Sequence, residues 1–434
     1  MKRYPDVTRR LVAAFACVAV AATVVACGSD DSGGGGGSGE ASAGESDQAP
    51  GKNEIVFGAM LPVTGDYAPF TKPAIYANNI AIEEINEDGG VLGKKVKLVI
   101  ADTKSTAEAA VPAFDRLTEV SKSTVLGVGD SDAALAVIDA IAEKQLPTMC
   151  PYCGADDLTP KGGEWVYRLS PADGQLGIAA AQFARDHGYK KAAILGQKTD
   201  ASISAVESFK KPFTEKLGGD LCEEVMFDPG KSSYQAEVQK AFSCDPQVVW
   251  ATTGTEAGIP IMREWARRGY GGKWLLSQDM LTPDIAKSTP ELEGNAFGPT
   301  GSMDTSTPAF ESFAAKYKEK SGGKAPSDGL WEAASFDQWI MAALAMEKAK
   351  STDGAKIATA VPEIANAPGT KCYRYKECLD LIKKGEDIDY YGASGSNDLN
   401  ADGDLASPRF TTTELKGGEF VSGEAFNLDP ELTK

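Results

Sequence analysis

A chain of 434 residues, 42% of them hydrophobic, carries enough apolar side chains for more than one core, so two or more domains are expected. The formal net charge is -18, from 44 Lys and Arg against 62 Asp and Glu, and such an acid excess disfavours nucleic acid and anionic lipid surfaces as partners. A single histidine, His187, reads as part of the polar end of a helix, which leaves no histidine-built metal site and no histidine-based triad.

Taken in order, residues 1–26 read as a signal peptide. Lys2, Arg3, Arg9 and Arg10 precede an apolar run over 11–26, short of the roughly 20 residues that a spanning helix needs. The run closes on Val24-Val25-Ala26-Cys27, which resembles the lipobox of bacterial lipoproteins; Val24 stands in place of the usual leucine, and Cys27 would be the acylated first residue of the mature chain. Residues 27–52 are Gly, Ser and acidic residues with little to bury, a disordered tether with an end-to-end distance of about 25–30 Å. The folded part is expected outside the cytoplasm, tied to the membrane through its lipid alone. Of eight cysteines, Cys17 lies in the signal and Cys27 in the lipobox; six remain, an even number in an oxidising compartment. Spacing favours the disulfides Cys150–Cys153, Cys222–Cys244 and Cys372–Cys378.

The pattern predicts a strand over 54–60, a Gly/Pro-marked loop over 61–70 and a helix from Pro73 that ends at Gly89-Gly90. A strand over 96–101 and a helix over 106–122 lead into 124–159. That stretch reads as strand, tight turn, helix, second strand, and a loop between Cys150 and Cys153. Its turns fall at the carboxyl ends of strands, where open α/β sheets bind ligands. A second α/β series follows, with strands at 165–169, 191–195, 221–227, 247–251 and 273–277 and helices at 174–186, 202–217, 234–242 and 257–268. Helices over 308–320 and 330–350 and an irregular tail complete the chain. The order implies parallel sheets with helices on both faces.

The run GAMLPVTGDYAPF, the segment EEINEDGGVLGKKVKLVIADT, the stretch from Thr124, RLSPADGQLG from Arg168 and DYYGASGSNDLNADGD from Asp389 occur in order. Together they resemble the extracytoplasmic solute-binding lipoproteins of ABC importers, most nearly the branched-chain amino acid (Leu/Ile/Val) type. The resemblance spans nearly all of 53–420. It implies an α/β fold of two doubly wound parallel-sheet lobes joined by crossing hinge segments, the type I periplasmic-binding-protein architecture. The implied lobes are 53–169 plus 298–352 and 170–297 plus 353–434. The implied partners are a small-molecule solute and a permease with its ATPase; a monomer without a cofactor is expected.

The family receives a ligand carboxylate on a serine and on backbone N–H groups at a helix start. Here the matching turn offers Ser131, but between Asp130 and Asp132, which either contact ligand or cap the helix. The family's threonine position holds Gly154, beside Tyr152 and Cys153. Tyr67 matches a pocket aromatic. In the second lobe the usual tyrosine position is Ala201, next to Asp200. Thr255 and Glu256 either reach the ligand or cap their helix, and Gln278 or Asp279 occupies the place of the acid that pairs with the ligand's ammonium. These departures weaken a plain Leu/Ile/Val assignment and leave an amino acid, an amide or another small polar molecule open.

Three functions follow. A binding protein delivers its solute to a permease and catalyses nothing, in keeping with a chain that has no GxxxxGK[ST] phosphate loop. Cys150-Pro-Tyr-Cys153 would instead serve a thiol–disulfide oxidoreductase. A sensor would report the solute to a signalling partner. A further motif, over 398–404, begins like a calcium loop but has Arg409 at the twelfth position, where a glutamate is required, so calcium is not expected.

Overall fold

The alternation of apolar strands with amphipathic helices folds, in a computed structural model that describes residues 49–326 and 331–433, around two large sheets, with a small three-stranded sheet over 370–396 beside them. The signal peptide, Cys27 and nearly all of the tether lie outside the described residues.

The first series runs β1 (Glu54–Leu61), α1 (Ala68–Glu87), β2 (Lys95–Asp102), α2 (Ala107–Asp115), β3 (Val125–Val128), α3 (Ser131–Ala136), α4 (Ile138–Glu143), β4 (Thr148–Cys150), α5 (Leu158–Gly162) and β5 (Val166–Arg168). Its strands form a parallel sheet in the order β2-β1-β3-β4-β5. Strands covered on both faces read as unbroken apolar runs, and β1 is buried at every position after Glu54.

The second series is α6 (Asp173–Asp186), β6 (Lys191–Gln197), α7 (Asp200–Lys211), β7 (Asp220–Phe227), α8 (Gln235–Ala241), β8 (Val248–Thr252), α9 (Thr255–Arg268), β9 (Lys273–Leu276), α10 (Pro283–Ser288) and β10 (Ala296–Ser302). Then come α11 (Pro308–Lys320), α12 (Trp331–Ala349), α13 (Gly354–Ala365), β11 (Thr370–Cys372), α14 (Tyr375–Lys384), β12 (Ile388–Gly392), β13 (Gly395–Ser396), β14 (Arg409–Lys416) and β15 (Glu419–Phe426). The second sheet has the order β15-β14-β10-β9-β8-β6-β7, parallel from β10 to β7 and extended at one edge by the antiparallel β14–β15 hairpin.

Several boundaries differ from the sequence pattern. The first helix begins at Ala68, with Pro69 in its opening turn and Pro73 inside it, because turn bonds from Ala68 N to Gly65 O and from Phe70 N to Tyr67 O start the winding early. The helix after β3 breaks at Val137, whose φ of -119° is not helical. The tail predicted as irregular holds two helices and five strands; its short strands and Gly turns give no periodicity long enough to read.

The grouping of the late segments also changes. β10, expected with the first lobe from residue 298, pairs with β9 in the second sheet. Residues 354–399, expected with the second lobe, bury Ile357, Val361, Cys372, Tyr375, Tyr390 and Leu399 in the first core. Their anchor is α12, which is buried from Trp331 to Met346 and so is apolar nearly all round. The chain therefore passes between the two sheets at 169–172, 303–307 and 397–408.

Candidate functional site

The turn after β3 is closed by its own acid. Asp130 Oδ1 accepts the Ala133 N–H at 2.7 Å and Oδ2 accepts the Thr103 hydroxyl at 2.9 Å, so Asp130 is the N-cap of α3. Ser131 Oγ accepts the Ala155 N–H at 3.0 Å and thereby ties the cysteine loop to α3. Asp132 reaches the backbone N–H of Asp200 at the start of α7, in the second series. The carboxylate-receiving groups implied by the resemblance are thus already engaged within the protein.

The loop after β4 holds the Cys150 and Cys153 sulfurs 2.17 Å apart, at disulfide distance. Cys222–Cys244 and Cys372–Cys378 stand at 2.09 and 2.13 Å. Cys150 and Cys153 are fully buried in the first core, where no incoming thiolate can reach either sulfur, and this burial speaks against thiol exchange. Tyr152 points across to the second series: its hydroxyl donates to Asp279 Oδ1, and its ring packs on Trp331, Phe70 and Tyr67 at centroid distances of 3.9, 5.2 and 6.5 Å. At Gly154 a Cβ would stand 1.9 Å from Asp173 Oδ1, so the absent side chain is what admits the Asp173 carboxylate. Arg168 lies behind this loop; it donates to the Gly154 carbonyl at 2.9 Å and pairs with Asp404 at 2.9 Å.

Between the two sheets a narrow cavity has Tyr67, Gln278 and Asp279 in its wall, together with Asp173, Gln197 and Trp250, which the sequence pattern does not single out. The remaining predicted residues stand elsewhere. Asp200 is exposed, with Thr199, Ala201 and Ser202 facing the cavity in its stead. Thr255 turns to the Thr282 hydroxyl at 3.3 Å, and neither it nor Glu256 caps α9, whose N-cap is Gly254. Glu256 faces Asp66. Asp130, Ser131, Asp132, Tyr152, Cys153 and Gly154 form the support behind the cavity and do not line it. Asp173 is legible only as an acid in the first turn of α6; its approach to Gly154 spans two series and has no sequence signature.

No Lys or Arg lines this cavity, and burial perturbs the acids in its wall and behind it. Burial, then the neighbouring Asp130 and Asp200, pushes Asp132 up to about 7, although the Asp200 N–H offsets part of this. Burial raises Asp279 to about 6 against the Tyr152 hydrogen bond, and burial with the adjoining Glu256 carboxyl raises Asp66 to about 6. Asp173 is driven well above the carboxylate range by burial and by Asp279. The loop over 398–404 is closed on itself, Asn400 Oδ1 accepting the Asp402 and Asp404 N–H groups while Asp404 serves Arg168. Among the described residues no cluster of three or more His, Cys, Asp or Glu is arranged to hold a metal ion.

A family model described as periplasmic binding protein matches residues 54–370. The Leu/Ile/Val-binding protein homolog 1 of Brucella suis is 26% identical over 255 residues, covering 57% of this chain and 67% of that protein. Homolog 3 of Brucella melitensis is 29% identical over 201 residues, 45% of this chain and 54% of that protein. Among solved structures, the leucine-binding protein LivK of Thermotoga maritima superposes with a TM-score of 0.74 at 25% identity, over 87% of this chain and 99% of its own. A Rhodopseudomonas palustris solute-binding protein in complex with benzoate shares the fold, with a TM-score of 0.71 at 21% identity, over 86% of this chain and 96% of its own.

Proposed function

The chain belongs to the periplasmic binding protein family, and on that premise we propose that it captures a small polar solute, an amino acid or a related compound, between its two lobes and delivers it to an ABC permease and ATPase. The observation that carries this reading is the cavity itself: Tyr67 enters it from the first series, and Gln278 and Asp279 from the second. A solute held there contacts both lobes and favours their closure about the three crossings, a hinge movement driven by differential affinity for the closed state. Cys27 anchors the protein through lipid on the outer side of the membrane, and the acidic tether lets the binding lobes stand off from it. Among the described residues no helix is long and apolar enough to cross a membrane.

A thermal-shift screen over amino acids, amides and amines tests the binding function. A ligand at 100 times its dissociation constant adds about 2.7 kcal/mol to the stability, and Asp279→Ala or Tyr67→Ala abolishes that gain. A screen with no responding solute counts against the reading. For the anchor, Cys27→Ala releases the protein from membranes into the soluble fraction; retention would refute it.

A further inference from the structure

The positive ends of helices are where a folded protein receives an anion without using a basic side chain. At the cleft four of these ends are met by a carboxylate of the chain, whereas α1, whose N-cap Tyr67 lines the cavity, has no side-chain cap. Asp130 caps α3. Asp156 Oδ1 accepts the Gly174 N–H at the start of α6 at 3.1 Å. Asp132 meets the Asp200 N–H of α7. Asp66 lies against Gly254 at the start of α9, its Oδ2 3.5 Å from where a Gly254 Cβ would stand. Three of these acids come from the first series and reach helices of the second. Arg168, whose charge acts on Asp156 and Asp173, is turned to Asp404 and to the Gly154 carbonyl.

The cavity wall shows the opposite bias. Asp173, Ser277 and Gln278 are 7%, 8% and 7% exposed, and Asp173 Oδ2, Ser277 Oγ and Gln278 Oε1 have no hydrogen-bond partner. All three residues line the same cavity, beside the Asp279 carboxylate. A buried polar atom without a partner costs about 1–3 kcal/mol, and the acceptors Asp173 Oδ2 and Gln278 Oε1, with the Ser277 hydroxyl able to accept beside them, mark a place for a donor that comes from outside the chain. A primary ammonium has three N–H donors and a charge that answers Asp173 and Asp279. Leu176, Ala205 and Trp250 give the cavity an apolar side.

Resting on the solute-binding reading, we propose that the solute is a primary amine with a small apolar body and no free carboxylate, its ammonium held by Asp173, Ser277, Gln278 and Asp279. The Asp173 carboxyl beside Gly154 takes the room that a ligand carboxylate would need.

The test is calorimetric titration of the mature protein, at mildly alkaline pH, with isoamylamine, L-leucine and isocaproate, which share one apolar body and differ in charge. The expected result is isoamylamine binding at least about tenfold more tightly than leucine, a difference of about 1.4 kcal/mol, with isocaproate silent. Asp173→Asn lowers the amine affinity by about tenfold or more, since an amide cannot ionise to meet the ammonium, without lowering the melting temperature of the unliganded protein, where burial already favours the uncharged form of Asp173. Ser277→Ala, a smaller change, weakens the amine several-fold. Tighter binding of leucine or isocaproate than of the amine overturns the ammonium assignment and leaves solute binding standing. Silence of all three ligands overturns the ammonium assignment, and the wider solute screen then decides whether solute binding falls with it. Unchanged amine affinity in both variants also overturns the assignment.

Discussion

Asp130 and Asp132 are neighbours of the same type with different duties, and their partners explain why. Asp130 is buried with two donors aimed at it, one from its own helix and one from Thr103. Asp130→Ala therefore loses a cap and leaves a buried hydroxyl short of its acceptor, with an expected cost of about 1–2 kcal/mol in chemical denaturation. Together with Asp279, these acids also make stability depend on pH. Asp130 and Asp279 titrate at about 6 and Asp132 at about 7 in the folded protein, raised first by burial in each case, against about 3.9 when unfolded. The folded state thus binds more protons than the unfolded state between those values, so the stabilisation is fully present below about pH 4 and is lost as pH rises through 6 to 7. The unliganded protein is expected to melt at a lower temperature at pH 8 than at pH 5, about the same interval; a melting temperature that rises across it would contradict the placement of these acids.

Helix contacts depend on residues whose importance is positional. At Gly177, on α6, a Cβ would stand 2.4 Å from the Ala205 carbonyl of α7, so the two backbones touch where a side chain cannot fit. Gly177→Ala must part the helices, at an expected cost of about 1–3 kcal/mol measured by denaturant unfolding. Asp337 on α12 is fully buried and accepts from the Tyr390 hydroxyl at 2.7 Å, the Ala393 N–H at 2.9 Å and the Ser394 N–H at 2.7 Å. It fastens the segment just before the third crossing to the first core. Asp337→Ala strands those donors, and a loss of about 3 kcal/mol or more is expected from chemical denaturation. In a helix as uniformly buried as α12, the two buried acids Glu332 and Asp337 among mostly apolar residues are the sequence cue that was available for this role.

The three cysteine pairs differ in access. Cys150, Cys153, Cys372 and Cys378 are fully buried, whereas Cys222 and Cys244 are half-buried at the edge of the second series. Mild reductant followed by alkylation should therefore label Cys222 and Cys244 first, with the other four labelled only on unfolding; early labelling of Cys150 or Cys153 would return thiol exchange to consideration. The cross-cleft acids also bear on the assembled protein: carboxylates of the first series stand against the helix starts of the second, so under the proposed hinge closure a cationic solute would favour the closed state through charge as well as contact.

The sequence by itself determined the strand–helix alternation, the parallel sheets, the family and the disulfide spacing, because periodicity, turn residues and cysteine separation are local properties of a chain. It also marked Tyr67, Gln278 and Asp279 for the cavity. It did not reveal that 354–399 packs on the first core, since core membership depends on which apolar face meets which, and both cores are built of the same residue types. Nor did it reveal Asp173, whose carboxylate lies over Gly154 only because β5 and α6 meet the cysteine loop in space. Whether an acid in the stretch after β3 caps a helix or faces a solute depends on the donors that tertiary packing brings to it. Packing gives two donors to Asp130 and none to Asp173 Oδ2.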